Sequence, residues 1–525
     1  MITLSRSDQS TNGLYVGLTL KRGQLMDGEL LPEHRFFDEM LQTMEDKRIG
    51  RGRLAEVLTR LLIASPARPS QRDIAQGVML PVTDQLPADA VSRSTAALAS
   101  MLMLTAHQPR ADRPGRPYTP LQLGSARWAA IGVRVGHEGG RVINFDVVVV
   151  DLDGVPLDLP GYHTKDDTYS VPIPPGTVDV IEQLAQAIEE VCDQPGVRQR
   201  YILGVGVELA GHVSQGHVLD ASLSSLTGIA LTQKLTARLE PLSRRLWRLP
   251  TERGEHRRPL PVIIDNDLNV LAVHEIYERT FAEQEIAVIA VDDDGIGSAL
   301  IIDGRVYRGA RGMAGEIGHC PVPVQLPAKL AVGSHSAVGS HSSDCQRISN
   351  AKTYPNFTDP CPCGRPRHLD CYGTPVRIAG ELGLHSLDDF AAAARAGGSN
   401  QPKLTTETRR VFQIAGQALG LAISSLINVV NPARILLYMP PALAGNEELP
   451  VLPGSAAGAY RHCIEDTIKK NTFSDAAAHT ILAIEPLPAQ QRRHFGARSA
   501  ALRVLDSLIQ HARRHCECYL LRPIP

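Results

Sequence analysis

The spacing of apolar residues changes character near residue 128. Before that point it is helical and interrupted. Leu54, Val57, Leu58, Leu61 and Leu62 recur three and four apart, which predicts an amphipathic helix ending before Pro66. Ser70 offers an N-cap to a second helix starting Ser70-Gln-Arg-Asp-Ile-Ala. After an irregular stretch from Pro81 to Pro87, the run from Ala88 to Leu104 predicts a third helix with Leu98, Met101 and Leu102 on one face. Three short helices of this kind suit a helix-turn-helix. The next segment, 106–123, has apolar ends around a Pro, Gly and Arg tip and reads as a two-stranded wing carrying Arg113 and Arg116. In that arrangement Ser92, Arg93 and Ser94, at the start of the third helix, face a major groove, while the wing arginines reach phosphates or a minor groove. A proline-rich linker with solvated arginines is the competing reading of 106–123.

From Trp128 onward the pattern alternates between strands and helices. Ala130 to Val135 and Val142 to Asp151 predict a hairpin, and 178–192 predicts a helix. Ile202 to Leu209 reads as a strand buried on both faces, Leu231 to Leu239 as a helix, and Pro261 to Ile264 as another buried strand. A second series follows: the strand pair Ile286 to Val291 and Ser298 to Ile302, a long apolar helix from Val411 to Val430, and a strand from Arg434 to Tyr438. Such alternation predicts a layered α/β architecture.

Length and charge refine this outline. A chain of 525 residues with 43% hydrophobic residues can bury large cores and divides into two or three domains. The net charge of −2 hides an asymmetry, because Lys47 to Arg127 holds twelve Lys or Arg against five Asp or Glu. A basic module on a near-neutral body points to a polyanionic partner. No continuous apolar run reaches the roughly 18 residues of a membrane span, and no basic, apolar leader opens the chain, so the expectation is a cytoplasmic protein without a membrane partner. Nine cysteines, three of them at 361, 363 and 371, suit a metal site better than a disulfide framework.

The most specific signal is Gly309-Ala-Arg-Gly-Met-Ala-Gly-Glu-Ile-Gly-His319, followed by Cys361-Pro-Cys363-Gly364 and Cys371. It resembles the signature of the ROK family of repressors and sugar kinases. The resemblance implies a two-lobed, actin-like sugar-kinase fold (RNase H-like, α/β) preceded by a winged-helix DNA-binding domain. It implies that Asn266, Asp267, Glu316 and His319 bind a sugar, Asp267 standing where kinases keep the general base. It further implies a structural zinc on His319, Cys361, Cys363 and Cys371, a closed Cys3His set, with His335, His341, Cys345 and His368 as alternative ligands. Helix 498–515 is expected to return to the first lobe. The expected boundaries are a partly disordered extension at 1–46, the winged helix at 47–123, lobes at 124–265 and 266–497, and an insertion at 322–360.

Three departures bear on activity. Where family kinases read Gly-Thr-Gly-Ile-Gly, this chain reads Asp293-Asp294-Gly295-Ile296-Gly297, and carboxylates there repel a nucleotide phosphate. The first phosphate turn reads Arg134-Val-Gly-His-Glu-Gly, with Arg134 where an Asp would organise magnesium. The strand at 434–438 runs into Met439-Pro440 in place of Gly-Gly. ATP and Mg2+ are therefore not expected. The reading that follows is a homodimeric regulator of the repressor type, binding double-stranded operator DNA and sensing a sugar-derived effector. A sugar kinase and a ligand-blind regulator are the alternatives.

Overall fold

The computed structural model describes residues 128–520, apart from 139–140, 160–167, 178, 222–224, 247–258, 279–284, 325–353, 362, 399–402, 447–449 and 488; ahead of them it describes Val57, Ile74, Ala75, 86–100, 104–106 and 121–123. Val57, Ile74 and Ala75 are helical and buried, and Ala88–Ser100 forms helix α1. The third expected helix therefore stops short of Leu104, which instead opens strand β1 (Leu104–Ala106), paired antiparallel with β2 (Leu121–Leu123) in the register Leu104 to Leu123. The intervening tip, with Arg113 and Arg116, lies outside the described residues. So do 1–46 and the alternative ligands His335, His341 and Cys345.

Two sheets of identical strand order frame the main body. The first lobe runs β3 (Trp128–Glu138), β4 (Arg141–Val150), β5 (Tyr169–Pro172), β6 (Tyr201–Leu209) and β9 (Val262–Asn266), in the spatial order β5-β4-β3-β6-β9. Its first three strands are antiparallel, while β3, β6 and β9 are parallel. The second lobe repeats this with β10 (Ile286–Val291), β11 (Ile296–Ile302), β12 (Arg305–Tyr307), β13 (Arg434–Met439) and β14 (Ile481–Pro486), ordered β12-β11-β10-β13-β14. Between β6 and β9 of the first lobe, β7 (Gly211–Ser214) and β8 (His217–Ala221) make a separate small hairpin. The duplicated order defines the two-lobed actin-like sugar-kinase fold.

Side-chain size at specific places sets the layering. Helix α2 (Val180–Cys192) starts at Asp179, whose side chain accepts from the Glu182 amide, and buries Leu184, Ile188 and Val191. Helices α3 (Leu231–Arg238) and α4 (Asp267–Glu278) follow, and the chain closes with α9 (Ala489–Leu520). This last helix lies on the first-lobe sheet. It can approach because Gly132 and Gly206 are register partners on neighbouring strands: a Cβ at either would lie 1.9 Å from Ala497 O or 1.7 Å from Ala500 O.

In the second lobe α7 (Thr406–Val430) packs on α8 (Ala456–Asn471) through Gly416 and Gly420, where a Cβ would meet the backbone of Tyr460 and Ile464. By length and composition α7 could cross a bilayer, yet it buries Val411, Phe412, Leu419 and Ile423 in the lobe core. Helices α5 (Pro375–Glu381) and α6 (Leu387–Arg395) complete that side. The expected insertion ends earlier than 360, since Phe357 is buried and Tyr354 packs against the core.

Candidate functional site

A row of polar residues crosses the first-lobe sheet at the end of its strands that faces the second lobe. Ser170, Asp146, Arg134, Glu208 and Asp265 are register partners on β5, β4, β3, β6 and β9. Neighbours in register point to the same face, so their charges meet. Arg134 Nη1 donates to Asp146 Oδ2 at 3.2 Å, and its Nε lies 3.7 Å from Glu208 Oε1. Asp146 also accepts from Asn144 Nδ2 and Ser170 Oγ.

At the end of the row, Asp265 Oδ2 accepts from Arg308 Nη2 at 2.6 Å and from Arg503 Nε at 2.9 Å. Burial would push its carboxyl up, but the two guanidinium groups overcome that and hold it at about 2. Asp265 thereby ties β9, the segment after β12 and α9 into one node at the lobe boundary.

That node positions the first predicted pair. Asp265 Oδ1 accepts from the amide of Asn266 and from Asn269 Nδ2. Asn266 Oδ1 caps α4 by accepting from Leu268 N at 2.9 Å, and its Nδ2 donates to Gly211 O at 3.0 Å. A strand-end cap and a ligand-facing position coincide here, because Asn266 and Asp267 both line a cleft of about 1270 Å³ between the lobes. Glu316 and Asp370 line the same cleft.

The second lobe contributes the segment 309–319. Gly315 has φ +96°, and a Cβ there would lie 2.1 Å from Ser298 O, so only glycine fits. Its carbonyl accepts from both Ser298 N and Ser298 Oγ, which stitches Glu316 to β11. Across the cleft His212 Nε2, on β7, meets Glu316 Oε1 at 2.9 Å. His212 was not among the predicted residues, and neither were Asp265 or Asp370.

Asp370 Oδ1 accepts from Ile296 N at 2.9 Å, and its Oδ2 lies 3.8 Å from His319 Nδ1. Burial raises its carboxyl to about 6.

His319 turns away toward the cysteines. The side-chain ligand atoms of His319, Cys361, Cys363 and His368 all lie within 4.8 Å of one another. Cys361 Sγ is 3.7 Å from His319 Nδ1, and Cys363 Sγ is 3.5 Å from His368 Nδ1. Zinc bonds of 2.0–2.3 Å in a tetrahedron give ligand-to-ligand edges of roughly 3.5 Å, so this donor set fits zinc in both chemistry and spacing. Cys371, predicted as the fourth ligand, is not part of the group. It ends a one-turn helix (Leu369–Cys371) and is fully buried in the lobe core, whereas His368 is in the group.

Arg377, itself buried, holds the loop that presents Cys361 by donating to the carbonyls of Asn356, Asp359 and Pro360. Burial pushes the Cys361 thiol up to about 11, the cost of keeping a lone thiolate there without a metal.

Of the predicted DNA contacts, Ser92 and Arg93 are exposed on α1, and Arg93 pairs with Asp89 at 2.8 Å. Ser94 is 0% exposed and packs inward, so it cannot meet a groove. Asp292, Asp293, Asp294 and Gly295 form the turn between β10 and β11, and Pro440 and Pro441 close the end of β13, all lining the cleft. Tyr438 is spent on a buried hydrogen bond to Glu275 of α4.

Two lobes of one strand order, a cleft floored by β9 and a Gly-rich Glu316 turn define a protein of the sugar-kinase fold class. The sequence pattern of the ROK family matches residues 163–438, and the chain belongs to that family. The chain is similar to a glucokinase of Halalkalibacterium halodurans, 23% identical over 197 residues, covering 35% of this chain and 50% of the relative. It is also similar to a Caldicellulosiruptor sp. protein named "Putative xylose repressor", 27% identical over 192 residues, covering 36% of this chain and 43% of the relative. The chain thus spans half or less of the length of these two curated relatives. Among solved structures, a ROK family transcriptional regulator, a homologue of the E. coli MLC protein, superposes with a TM-score of 0.57 at 19% identity, over 89% of this chain and all of the other. That likeness concerns the fold. The family holds both kinases and repressors.

Proposed function

We propose that the protein is a DNA-binding transcriptional regulator, of the repressor type and acting as a homodimer, whose two-lobed body senses a sugar-derived effector and does not phosphorylate it. The observation that carries this reading is Arg134. A kinase of this fold needs its first turn free to organise metal and phosphate, whereas Arg134 is held between Asp146 and Glu208 in the wall of the cleft. The carboxylates of Asp293 and Asp294 on the opposite turn add repulsion toward a nucleotide.

Asn266, Asp267 and Glu316 keep the polar groups that would fix a sugar's hydroxyls. In this reading Asp267 is a binding carboxylate, since no phosphate is delivered to it. A zinc ion held by His319, Cys361, Cys363 and His368 would lock the Glu316 turn against the loop at 354–361 and has no catalytic part. Helix α1, with Ser92 and Arg93 outward, followed by the antiparallel pair of β1 and β2, supports a winged-helix reading head that also carries Arg113 and Arg116.

The test measures two outputs of the purified full chain: ADP release with a panel of hexoses, and retention of fragments of its own genome across a salt series. Retention of specific fragments, weakened by Arg93→Ala and Arg116→Ala, without sugar-dependent ADP release, is expected. Sugar-dependent ADP release without specific retention would return the protein to the kinases.

A further inference from the structure

We infer that the effector held in the interlobe cleft is a glycoside, a sugar carrying an apolar aglycone; this rests on the sugar-sensing reading and narrows it. The first ground is how the cleft divides. Glu316, which lines it together with Asn266 and Asp267, is on a turn stitched to β11 at Ser298. Pro440, Pro441 and Ala442, which follow β13, line the cleft as well. In the sheet β10 lies between β11 and β13, so these two parts of the second-lobe wall are two strand spacings, about 10 Å, apart. The cleft, at about 1270 Å³, is also larger than the roughly 300–1,000 Å³ of most small-molecule pockets. A lone sugar ring seated at Glu316 leaves the part beyond β13 unfilled.

The second ground is the chemistry of that part. Helix α6 turns Leu387 and Ala391, one helical turn apart, into the cleft, and Val451 and Leu452 line it beside them. Leu452 is 37% exposed, as is Ile143 in the first-lobe wall of the same cleft, so large apolar side chains meet solvent there from both lobes. Hydrogen-bonding groups are few. Pro440, Pro441 and Pro450 have no amide hydrogen to donate. Among the described residues from 387 to 398 and from 440 to 457 that line the cleft, only Asp388, Arg395 and Ser455 have polar side chains. Ser455 is spent on its own helix cap, its Oγ donating to Leu452 O at 2.7 Å and accepting from Gly458 N at 3.0 Å. Asp388 and Arg395 stand near the two ends of α6, at the edge of the face that Leu387 and Ala391 present.

A second sugar ring needs partners for several hydroxyls, and a wall of this composition would strip their water without replacing it. An apolar aglycone loses nothing there and gains the burial of its own surface and of Leu452.

The test is isothermal titration of the full chain with the methyl and phenyl glycosides, α and β, of glucose, galactose, mannose and xylose, together with cellobiose, lactose and adenosine, at low and at physiological ionic strength. For the sugar and anomer that the cleft accepts, the phenyl glycoside is expected to bind at least about tenfold more tightly than the methyl glycoside. Because the gain comes from apolar burial, the ratio should hold between the two ionic strengths. In Leu452→Ser, and separately in Ala391→Gln, the ratio of phenyl to methyl affinity should fall by about threefold or more. Equal affinity for phenyl and methyl glycosides, or tighter binding of a disaccharide than of the phenyl glycoside, would overturn the inference while leaving the sugar site standing. Adenosine binding more tightly than the phenyl glycoside would assign the apolar part to a nucleoside base and also overturn it. If no sugar or glycoside binds, the sugar-sensing reading fails and the inference with it.

Discussion

The two lobes arrange five strands in the same order, yet their first strands meet the cleft in opposite ways. In the first lobe that region is packed from behind: Arg134 is clamped between two carboxylates, and Gly132 and Gly206 let α9 lie directly on the sheet. In the second lobe the corresponding turn, Asp292 to Gly295, stands open to the cleft, and nothing lies within 4 Å of a Cβ placed at Gly295. One duplicated frame therefore carries a rigid wall and an acidic rim. Phosphoryl transfer in this fold needs both turns to serve the same nucleotide. On the proposed reading they have diverged in a way that keeps a binding cleft and disfavours the chemistry.

The comparison breaks most visibly at its closest backbone approach. Gly132→Val must push α9 away from the sheet and should cost about 3 kcal/mol or more in chemical denaturation, whereas Gly295→Ala should stay within about 0.5 kcal/mol. Comparable losses from the two would mean that α9 is not seated as described.

Next in size is the node beneath the cleft. Asp265→Asn leaves Arg308 and Arg503 short of a buried partner, and about 3 kcal/mol of stability should go with it. Its pH dependence has a definite sign: the folded carboxyl lies near 2, below the ordinary 3.8, so its contribution is complete above about pH 4 and is lost as pH falls through 2. The wild type should lose about 2 kcal/mol over that window that the variant does not lose, as read from denaturation midpoints.

The zinc ligands sharpen the second lobe. Zinc content by mass spectrometry after mild chelation should fall at least about tenfold in affinity for His368→Ala and stay near wild type for Cys371→Ser, which instead loses packing. The reverse pattern would restore the Cys3His set. Smallest is the bridge between the lobes. His212→Ala removes a partly exposed partner of Glu316 and should weaken sugar binding by about fivefold, with fold stability changed by less than about 1 kcal/mol.

Much of the frame was legible because strands buried on both faces read as apolar runs, as in Ile202 to Leu209 and Ile286 to Val291. The small hairpin of β7 and β8, with Gly211, His212 and Ser214, has no such pattern, and with it His212 went unseen. Asp265 was hidden for another reason. Its partners Arg308 and Arg503 are 43 and 238 residues away, and only the register of three strands, β9, β6 and β3, lines Asp265 up with Arg134. Cys371 and His368 were both candidate ligands by type. What separates them is the one-turn helix that rotates Cys371 into the core, a local geometry that spacing alone does not encode. Ser94 illustrates the same limit, since a helix start names a face only once the neighbours that cover it are known.

The central claim, that a sugar site in a disabled kinase body governs a DNA-reading head, is tested most directly by measuring the affinity of the full chain for its best retained genomic fragment with and without the sugar that binds its cleft. The account predicts a change of about tenfold or more, abolished by Asp267→Ala, with no ADP formed when ATP is present. An affinity that does not respond to the bound sugar, or ADP produced in step with sugar, would contradict it.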